Sequence, residues 1–242
     1  MLCAAATGVG CSSSPGGTSD EIVVFAAASL KSTFTELGSR FETDHPATTV
    51  TFNFAGSSDL VAQLIQGAPA DVFASADTNN MTKAVDAGLL SGAPAVFATN
   101  TLTIVTPPGN PTGISSFGDL ARPGTQLVVC APQVPCGAAT ERVEKATGVT
   151  LSPVSEESAV TDVLGKVTSG QADAGLVYIT DAAVAGDAVI SVPFPESAGA
   201  VNHYPVALLT DSSRSEAAQD FIDLVTGPQG RQVLAAAGFA AP

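Results

Sequence analysis

Apolar residues along the chain fall into short continuous runs and into stripes with helical spacing. The first run, Glu21–Ala26 (EIVVFA), is typical of a buried strand. The stripe that follows predicts an amphipathic helix, with an apolar side chain every three or four residues at Leu30, Phe34, Leu37 and Phe41. Two further runs, Thr49–Phe54 and Asp71–Ser75, flank a second stripe. Strand, helix, strand, helix, strand with short links predicts parallel pairing through right-handed crossovers.

The rest of the chain repeats this alternation. Strands are predicted at Leu102–Thr106, Leu127–Cys130, Ala174–Tyr178 and His203–Leu209. Helices are predicted after Cys136, from Val160 onward and around Phe221, where apolar spacing is again helical. The Pro- and Gly-rich segment 107–113 is predicted to be a surface loop, because it is short and lies inside the pattern. The fold class that follows is α/β.

The composition agrees with a packed protein and limits the classes of molecule that it can bind. The chain has 242 residues, of which 45% are hydrophobic and 13% charged, so it is long enough for two lobes of about 100 residues each. Nine basic and 23 acidic residues give a net charge of -14, which disfavours nucleic acid and anionic lipid as partners. A small anion is not excluded, because helix dipoles dominate locally inside a dry cleft.

Residues 1–19 differ from the rest of the chain. A short apolar leader precedes Cys11, and a Ser-, Pro- and Gly-rich stretch follows it. This order resembles the end of a lipoprotein signal, with Cys11 as the lipidated residue and a flexible tether behind it. A plain disordered leader is the alternative interpretation. No later stretch approaches the apolar length of a membrane span, so contact with the membrane is expected only through a lipid anchor.

The candidate chemistry lies where helices begin. Ser29, Ser57 and the stretch 158–160 each stand where a strand or turn leads into an apolar-striped helix. A serine there ordinarily caps the helix, and this is the favoured interpretation of each one alone. Several helix N-termini meeting at one cleft would instead form an anion site. A serine hydrolase is the rival in another class, but the sequence has no G-x-S-x-G or S-x-x-K motif.

Short motifs in a fixed order carry a family resemblance. They are Val24–Leu30 (VFAAASL), Phe54–Leu60 (FAGSSDL), Gly67–Asp77 (GAPADVFASAD), Val134–Gly137 (VPCG), Gly175–Tyr178 (GLVY), Tyr204–Ala207 (YPVA), Gly227–Gln229 (GPQ) and Gly238–Phe239. Together they span the chain from about residue 20 to its end. In this respect the chain resembles the periplasmic molybdate-binding proteins of bacterial ABC importers.

The resemblance implies a two-lobed periplasmic-binding-protein fold of type II. Each lobe would be a mixed sheet flanked by helices, with the ligand in the cleft between them. Residues 20–101 and 203–242 would form lobe 1, and residues 102–202 would form lobe 2. The two crossing segments would serve as the hinge.

The resemblance also implies a ligand set and a function. The ligand residues would be Ser29, Ser57, Cys136, Val160 and Tyr178, with Ser58 an alternative to Ser57. Cys136 and Val160 would contribute backbone N–H groups. The protein would be a monomer outside the cytoplasm, in the periplasm or cell-envelope space, without catalysis or cofactor. It would deliver molybdate or tungstate to a membrane permease; a sulfate-type or organic anion is the alternative cargo.

Cys130 and Cys136 flank a proline-containing loop beside the proposed site. Because an exported protein meets an oxidising compartment, a disulfide between them is predicted, with two reduced thiols as the alternative. A metal site is disfavoured, since the spacing is not C-x-x-C and the two histidines lie far away in sequence.

Overall fold

The computed structural model describes residues 20–242. The predicted tether 1–19, including Cys11, lies outside the described residues. The strands of the described part are β1 Asp20–Ala27, β2 Thr48–Ala55, β3 Val72–Ala74, β4 Ala95–Asn100, β5 Leu102–Thr106, β6 Leu127–Cys130, β7 Ser155–Glu157, β8 Ala174–Tyr178, β9 Ile190–Val192 and β10 Asn202–Leu208. Its α-helices are α1 Lys31–Asp44, α2 Ser57–Ile65, α3 Thr78–Asp86, α4 Pro135–Thr147, α5 Val160–Thr168, α6 Ile179–Ala185, α7 Ser215–Thr226 and α8 Pro228–Ala236.

The strands form two five-stranded mixed sheets with the same plan. The first sheet has the order β2-β1-β3-β10-β4, and the second has the order β7-β6-β8-β5-β9. In the first sheet β1 pairs in parallel with β2 and β3, as the sequence predicts, while β10 runs antiparallel to β3 and β4. In the second sheet β6 pairs in parallel with β7 and β8, and β5 runs antiparallel to β8 and β9. We call each sheet with its packed helices a lobe.

The chain crosses from lobe 1 to lobe 2 between β4 and β5 and returns before β10. Asn100, which ends β4, pairs with Asn202, which begins β10, so the two crossing segments lie side by side. Both asparagines are buried. The predicted boundaries at residues 101 and 203 therefore fall within a residue or two of this pair.

Each lobe has its own apolar core. The inner stripe of α1 packs beneath the first sheet, where Phe34 and Phe41 meet Phe221 of α7 edge to face. A second cluster on the opposite face of this sheet is built around Phe73 and Leu60. A single larger cluster surrounds the second sheet. Each lobe therefore buries its own apolar surface, and polar contacts such as that between Asn100 and Thr180 join the two lobes. Among residues 20–242, no helix combines the length and apolarity needed to cross a bilayer.

Candidate functional site

A small cavity lies where the two lobes meet. Its volume is about 10 Å³, far below the roughly 300–1,000 Å³ of pockets that take drug-sized ligands. It is lined by Ala27, Ala28, Ser29, Ala55, Gly56, Ser57, Ala76, Val134, Pro135, Cys136, Val160 and Tyr178. The structure thus brings together all five residues of the predicted ligand set. Such a space excludes bulky organic ligands and admits only a compact group.

The lining residues stand at the carboxyl ends of strands from both sheets. Ser29 follows β1 in a short 3₁₀ helix, Ser57 follows β2, and Tyr178 is the last residue of β8. Ligands of open α/β sheets bind at this edge, because the loops and helix starts that follow parallel strands meet there. The cleft is therefore formed by equivalent edges of two similar sheets.

Three helices point their N-termini into the cavity. Ser57 and Val160 are the first residues of α2 and α5, and Cys136 is the second residue of α4. The first N–H groups of a helix have no acceptor within the helix. In the described part of the chain, no loop or side-chain oxygen accepts a hydrogen bond from the N–H of these three residues. Three groups of unpaired N–H donors, each at a positive helix end, thus face one small space.

The capping interpretation of the serines is wrong. The residues that cap these helices are Gly56 for α2 and Ala159 for α5, and neither of these helix starts is capped by a side chain. No serine side chain caps the 3₁₀ helix that contains Ser29. The hydroxyl of Ser57 instead accepts a hydrogen bond of 3.0 Å from the N–H of Ala76. The hydroxyls of Ser29 and Ser57 thus contact other segments of lobe 1 rather than the N–H groups of their own helices.

The two tyrosines of the chain meet at the cavity. Tyr178 and Tyr204 are both fully buried, and their rings meet edge to face with centroids 6.0 Å apart. The hydroxyl of Tyr204 lies 3.1 Å from Oγ of Ser29. Burial raises the pKa of both tyrosines well above the ordinary value, so both hydroxyls keep their protons. The motif around Tyr204 was noted in the sequence, but its contact with Ser29 was not predicted.

Asn202 is a site residue that sequence reasoning missed. Its side-chain nitrogen lies within hydrogen-bond distance of the hydroxyl of Tyr178 (2.7 Å) and the carbonyl oxygens of Ala76 (2.9 Å) and Pro135 (3.2 Å), so its two N–H groups are shared among three acceptors. Ala76 belongs to lobe 1, and Pro135 and Tyr178 belong to lobe 2. No sequence signal marks Asn202, because a single asparagine at the start of a strand has no pattern of its own.

Gly56 permits the closest approach of the two lobes. A Cβ atom at this position would lie 2.0 Å from the carbonyl oxygen of Ser158 in lobe 2. The backbone of Gly56 is in the ordinary extended region, with φ of -60° and ψ of 139°. The requirement for glycine is thus steric contact between lobes rather than an unusual backbone conformation.

The cavity has a neutral lining, and the pKa values of the carboxyl groups nearest to it are raised. None of the described residues that line it is Lys, Arg, Asp or Glu. Burial raises the pKa of Asp181 to about 7, although the N–H of Tyr178 donates to its carboxylate and opposes the shift. Burial likewise raises the pKa of Asp77. A partly protonated carboxyl group repels an anion less than an ionised one.

In the structure, Cys130 and Cys136 form a disulfide. Reduction is expected to weaken anion binding several-fold, because the bond fixes the loop that carries the N–H of Cys136. The measurement is calorimetric titration of oxidised and reduced protein, with alkylation and intact mass to count free thiols. Because the chain has four cysteines, alkylation of Cys130 and Cys136 themselves in unreduced protein, located by peptide mass, would refute the bridge. Equal affinities would refute its link to binding.

Comparison with known proteins adds independent information. The sequence profile of the bacterial extracellular solute-binding proteins matches residues 22–240. The molybdate-binding protein ModA of Mycobacterium tuberculosis is 55% identical over 233 residues, which cover 95% of this chain and 89% of that protein. The molybdate-binding protein ModA of Escherichia coli is 30% identical over 229 residues, which cover 90% of this chain and 88% of that protein.

The fold also matches a solved structure. The periplasmic molybdate-binding protein of Azotobacter vinelandii superimposes with a TM-score of 0.78 at 22% sequence identity. The match covers 91% of this chain and 99% of that chain. At this identity the likeness concerns the architecture, which is two α/β lobes with a cleft between them.

Proposed function

Because this chain belongs to the bacterial extracellular solute-binding proteins, we propose that it captures molybdate outside the cytoplasm and delivers it to the permease of an ABC importer. Family membership and the shared architecture confirm the predicted two-lobed periplasmic-binding-protein fold of type II. As a member of this family the protein is a solute-binding protein and not an enzyme. Close relatives that bear the name molybdate-binding protein support the cargo.

The observation that carries the proposal is the chemistry of the cavity lining. The residues that line the space include Ser29, Ser57 and Tyr178, whose hydroxyls can donate, and residues at the starts of α4 and α5, whose N–H groups have no acceptor within the helix. All of these are neutral hydrogen-bond donors, and helix dipoles add positive potential. Such a lining stabilises a compact anion that can accept hydrogen bonds on every side. A tetrahedral oxyanion has this property.

A lining of donors discriminates against phosphate. Near neutral pH phosphate carries at least one proton, and a buried P–OH group needs an acceptor. The carbonyl oxygens of Ala76 and Pro135 already accept from Asn202. Asp59 is exposed, and Glu157 is bonded to Lys166. Asp77 and Asp181 lie nearer, but neither lines the cavity, so no carboxylate of the described residues is placed in the lining as an acceptor. A buried donor left without a partner costs about 1–3 kcal/mol, in addition to the ligand bonds that its proton disturbs.

Sulfate must be distinguished by size, since both sulfate and molybdate are fully deprotonated at this pH. Molybdate has the longer bonds from its central atom to oxygen. Donors placed for molybdate therefore stand too far from sulfate oxygens, and hydrogen bonds weaken beyond about 3.2 Å. Tungstate has the same shape and charge as molybdate, so we include it in the proposed cargo.

The experiment is isothermal titration of the purified protein with molybdate, tungstate, sulfate and phosphate at pH 7.5. We expect tight and nearly equal binding of molybdate and tungstate, without added metal or nucleotide. Phosphate and sulfate are expected to bind at least about tenfold more weakly, consistent with the loss of one hydrogen-bond contribution. Absence of heat and of thermal stabilisation with both molybdate and tungstate would contradict the proposed cargo. Sulfate within tenfold of molybdate would widen it to sulfate-type anions.

The remaining parts of the proposal concern the state of the protein. We propose that it works as a monomer without a cofactor. Lipidation of Cys11 would tether it to the outer face of the membrane, where it is free to meet its permease. The net charge of -14 fits a protein that binds its anion through local dipoles rather than through its overall charge.

A further inference from the structure

The side-chain amide of Asn202 contacts both lobes at the wall of the cavity. It is buried, with 2% of its surface exposed. Its oxygen accepts a hydrogen bond of 2.5 Å from the guanidinium of Arg142 on α4. Its nitrogen faces the hydroxyl oxygen of Tyr178 and the carbonyl oxygens of Ala76 and Pro135.

These partners fix which end of the amide is which. A guanidinium only donates hydrogen bonds, and a backbone carbonyl only accepts them. Arg142 therefore requires the amide oxygen on its side, and Ala76 and Pro135 require the NH₂ group on theirs. Only one orientation of the Asn202 amide satisfies all three partners.

The orientation of this amide determines the direction of the Tyr178 hydroxyl. Because the NH₂ group of Asn202 faces it, the oxygen of Tyr178 accepts this hydrogen bond. Its single proton cannot point back toward the amide. The acceptors left to this proton are an anion in the cavity, which Tyr178 lines, and the neighbouring hydroxyl of Tyr204. The raised pKa of Tyr178 keeps that proton in place.

The hydroxyl of Ser57 is oriented in the same way, by a backbone N–H group. The N–H of Ala76 donates to its oxygen, so the hydroxyl proton of Ser57 is also free. The carbonyl of the same Ala76 accepts from Asn202. The backbone of one residue, Ala76, and the side-chain amide of Asn202 thus connect the ligand hydroxyl of lobe 1 to that of lobe 2. In both hydroxyls the oxygen accepts a hydrogen bond from the protein, and the proton stays available to a ligand.

We propose that Asn202 is a positioning residue that directs the hydroxyl proton of Tyr178 into the cavity, with Arg142 holding the amide in place. This role rests on the proposed function, since the proton is useful only to a bound anion. It makes Tyr178 an obligate donor and so favours oxyanions that carry no proton. Asn202 makes no contact with the anion in this role; it acts through Tyr178.

The test replaces the amide by a group of the same shape that only accepts. In Asn202→Asp the carboxylate keeps the contact with Arg142 but draws the Tyr178 proton toward itself. Molybdate affinity is expected to fall by about 10-fold or more, the effect of losing one hydrogen bond to a charged ligand. Asn202→Ala removes the amide without adding an acceptor. It leaves the proton free but unoriented, so its loss should be smaller.

A double-mutant cycle with Tyr178→Phe isolates the effect on the hydroxyl. If Asn202 acts through Tyr178, part of the loss caused by Asn202→Asp should disappear in the Tyr178→Phe background. Asn100→Asp is the matched control. Asn100 is the cross-strand partner of Asn202 and is equally buried, and its amide nitrogen donates to Thr180. Its side chain also contacts the hydroxyl of Tyr204, so this control is compared in the Tyr204→Phe background. Its effect should be the same with and without the Tyr178 hydroxyl.

A second readout needs no ligand. The chain contains two tyrosines, so Tyr204→Phe leaves Tyr178 as the sole source of the tyrosine doublet in the Raman spectrum. The intensity ratio of this doublet distinguishes a hydroxyl that accepts from one that donates. In this background Asn202→Asp should shift the ratio toward donation, whereas Asn100→Asp should leave it unchanged.

The outcomes separate this inference from the proposed function. Equal losses from Asn202→Asp with and without the Tyr178 hydroxyl, or an unchanged Raman doublet, would overturn the role of Asn202. Absence of molybdate binding to the wild-type protein would overturn the proposed cargo, while the Raman experiment would still decide whether Asn202 orients Tyr178.

Discussion

Replacing Gly56 by alanine is expected to abolish tight anion binding while the protein remains folded. The added methyl group would lie 2.0 Å from the carbonyl oxygen of Ser158 in the other lobe. Relieving this contact moves the lobes apart and stretches the hydrogen bonds that each lobe offers the ligand. Loss of two hydrogen bonds to a charged ligand costs about 3–6 kcal/mol, which corresponds to about 100-fold or more in affinity.

The stability of this variant should change little. The backbone of Gly56 is in a region that alanine adopts readily, so alanine adds no strain within lobe 1. The control is Gly165→Ala in α5, where a methyl group meets nothing within 4 Å. Titration calorimetry gives the affinity, and thermal unfolding without ligand gives the stability. Wild-type affinity in Gly56→Ala would mean that the anion is bound without this approach of the lobes.

Removing any one ligand hydroxyl is expected to weaken molybdate binding by a similar factor at three separate positions. Ser29→Ala, Ser57→Ala and Tyr178→Phe each delete one donor that faces the cavity. A hydrogen bond to a charged group contributes about 1.5–3 kcal/mol, so each variant should bind about 10-fold to 150-fold more weakly. Ser57→Ala also leaves the N–H of Ala76 without its partner, which adds about 1–3 kcal/mol of destabilisation.

Ser58 supplies the matched control for these variants. It is the neighbour of Ser57 on α2 and is also buried, but it does not line the cavity. Among the described residues its hydroxyl has no hydrogen-bond partner, so Ser58→Ala should cost little stability. We expect it to bind molybdate like the wild type. A large loss in Ser58→Ala with none in Ser57→Ala would exchange their roles, and wild-type affinity in all three hydroxyl variants would place the site elsewhere.

Lobe closure and the direction of the ligand hydroxyls both contribute to anion binding. The lobes meet at Gly56 and at Asn202, and between these points lie the donors of both lobes. A change at Gly56 acts on distance, whereas a change at Asn202 acts on the direction of a proton. The changes in binding free energy caused by the two substitutions should therefore add, apart from any shared effect on lobe closure.

Local pattern was sufficient for the main secondary structure. The strands Leu102–Thr106, Leu127–Cys130 and Ala174–Tyr178 have the predicted bounds, because strands buried on both faces of a sheet read as continuous apolar runs. Strand β4 and helices α3, α6 and α8 were not predicted, and neither were the short strands β7 and β9. Strands β7 and β9 have three residues each and are partly exposed, so they carry no periodicity that a sequence pattern can detect.

The sequence by itself predicted the alternating α/β elements, because buried strands and amphipathic helices leave local apolar patterns, and its family resemblance implied the two lobes and the residues of the cleft. Only the tertiary structure decided why Gly56 must be glycine and what Asn202 does. In the sequence Gly56 is an ordinary residue before a helix. Only the folded structure places the carbonyl of Ser158 against it. Asn202 gains its meaning from Arg142, Ala76 and Tyr178, which are remote in sequence. Periodicity encodes elements, but close contacts and the direction of a hydrogen bond arise only when distant segments meet.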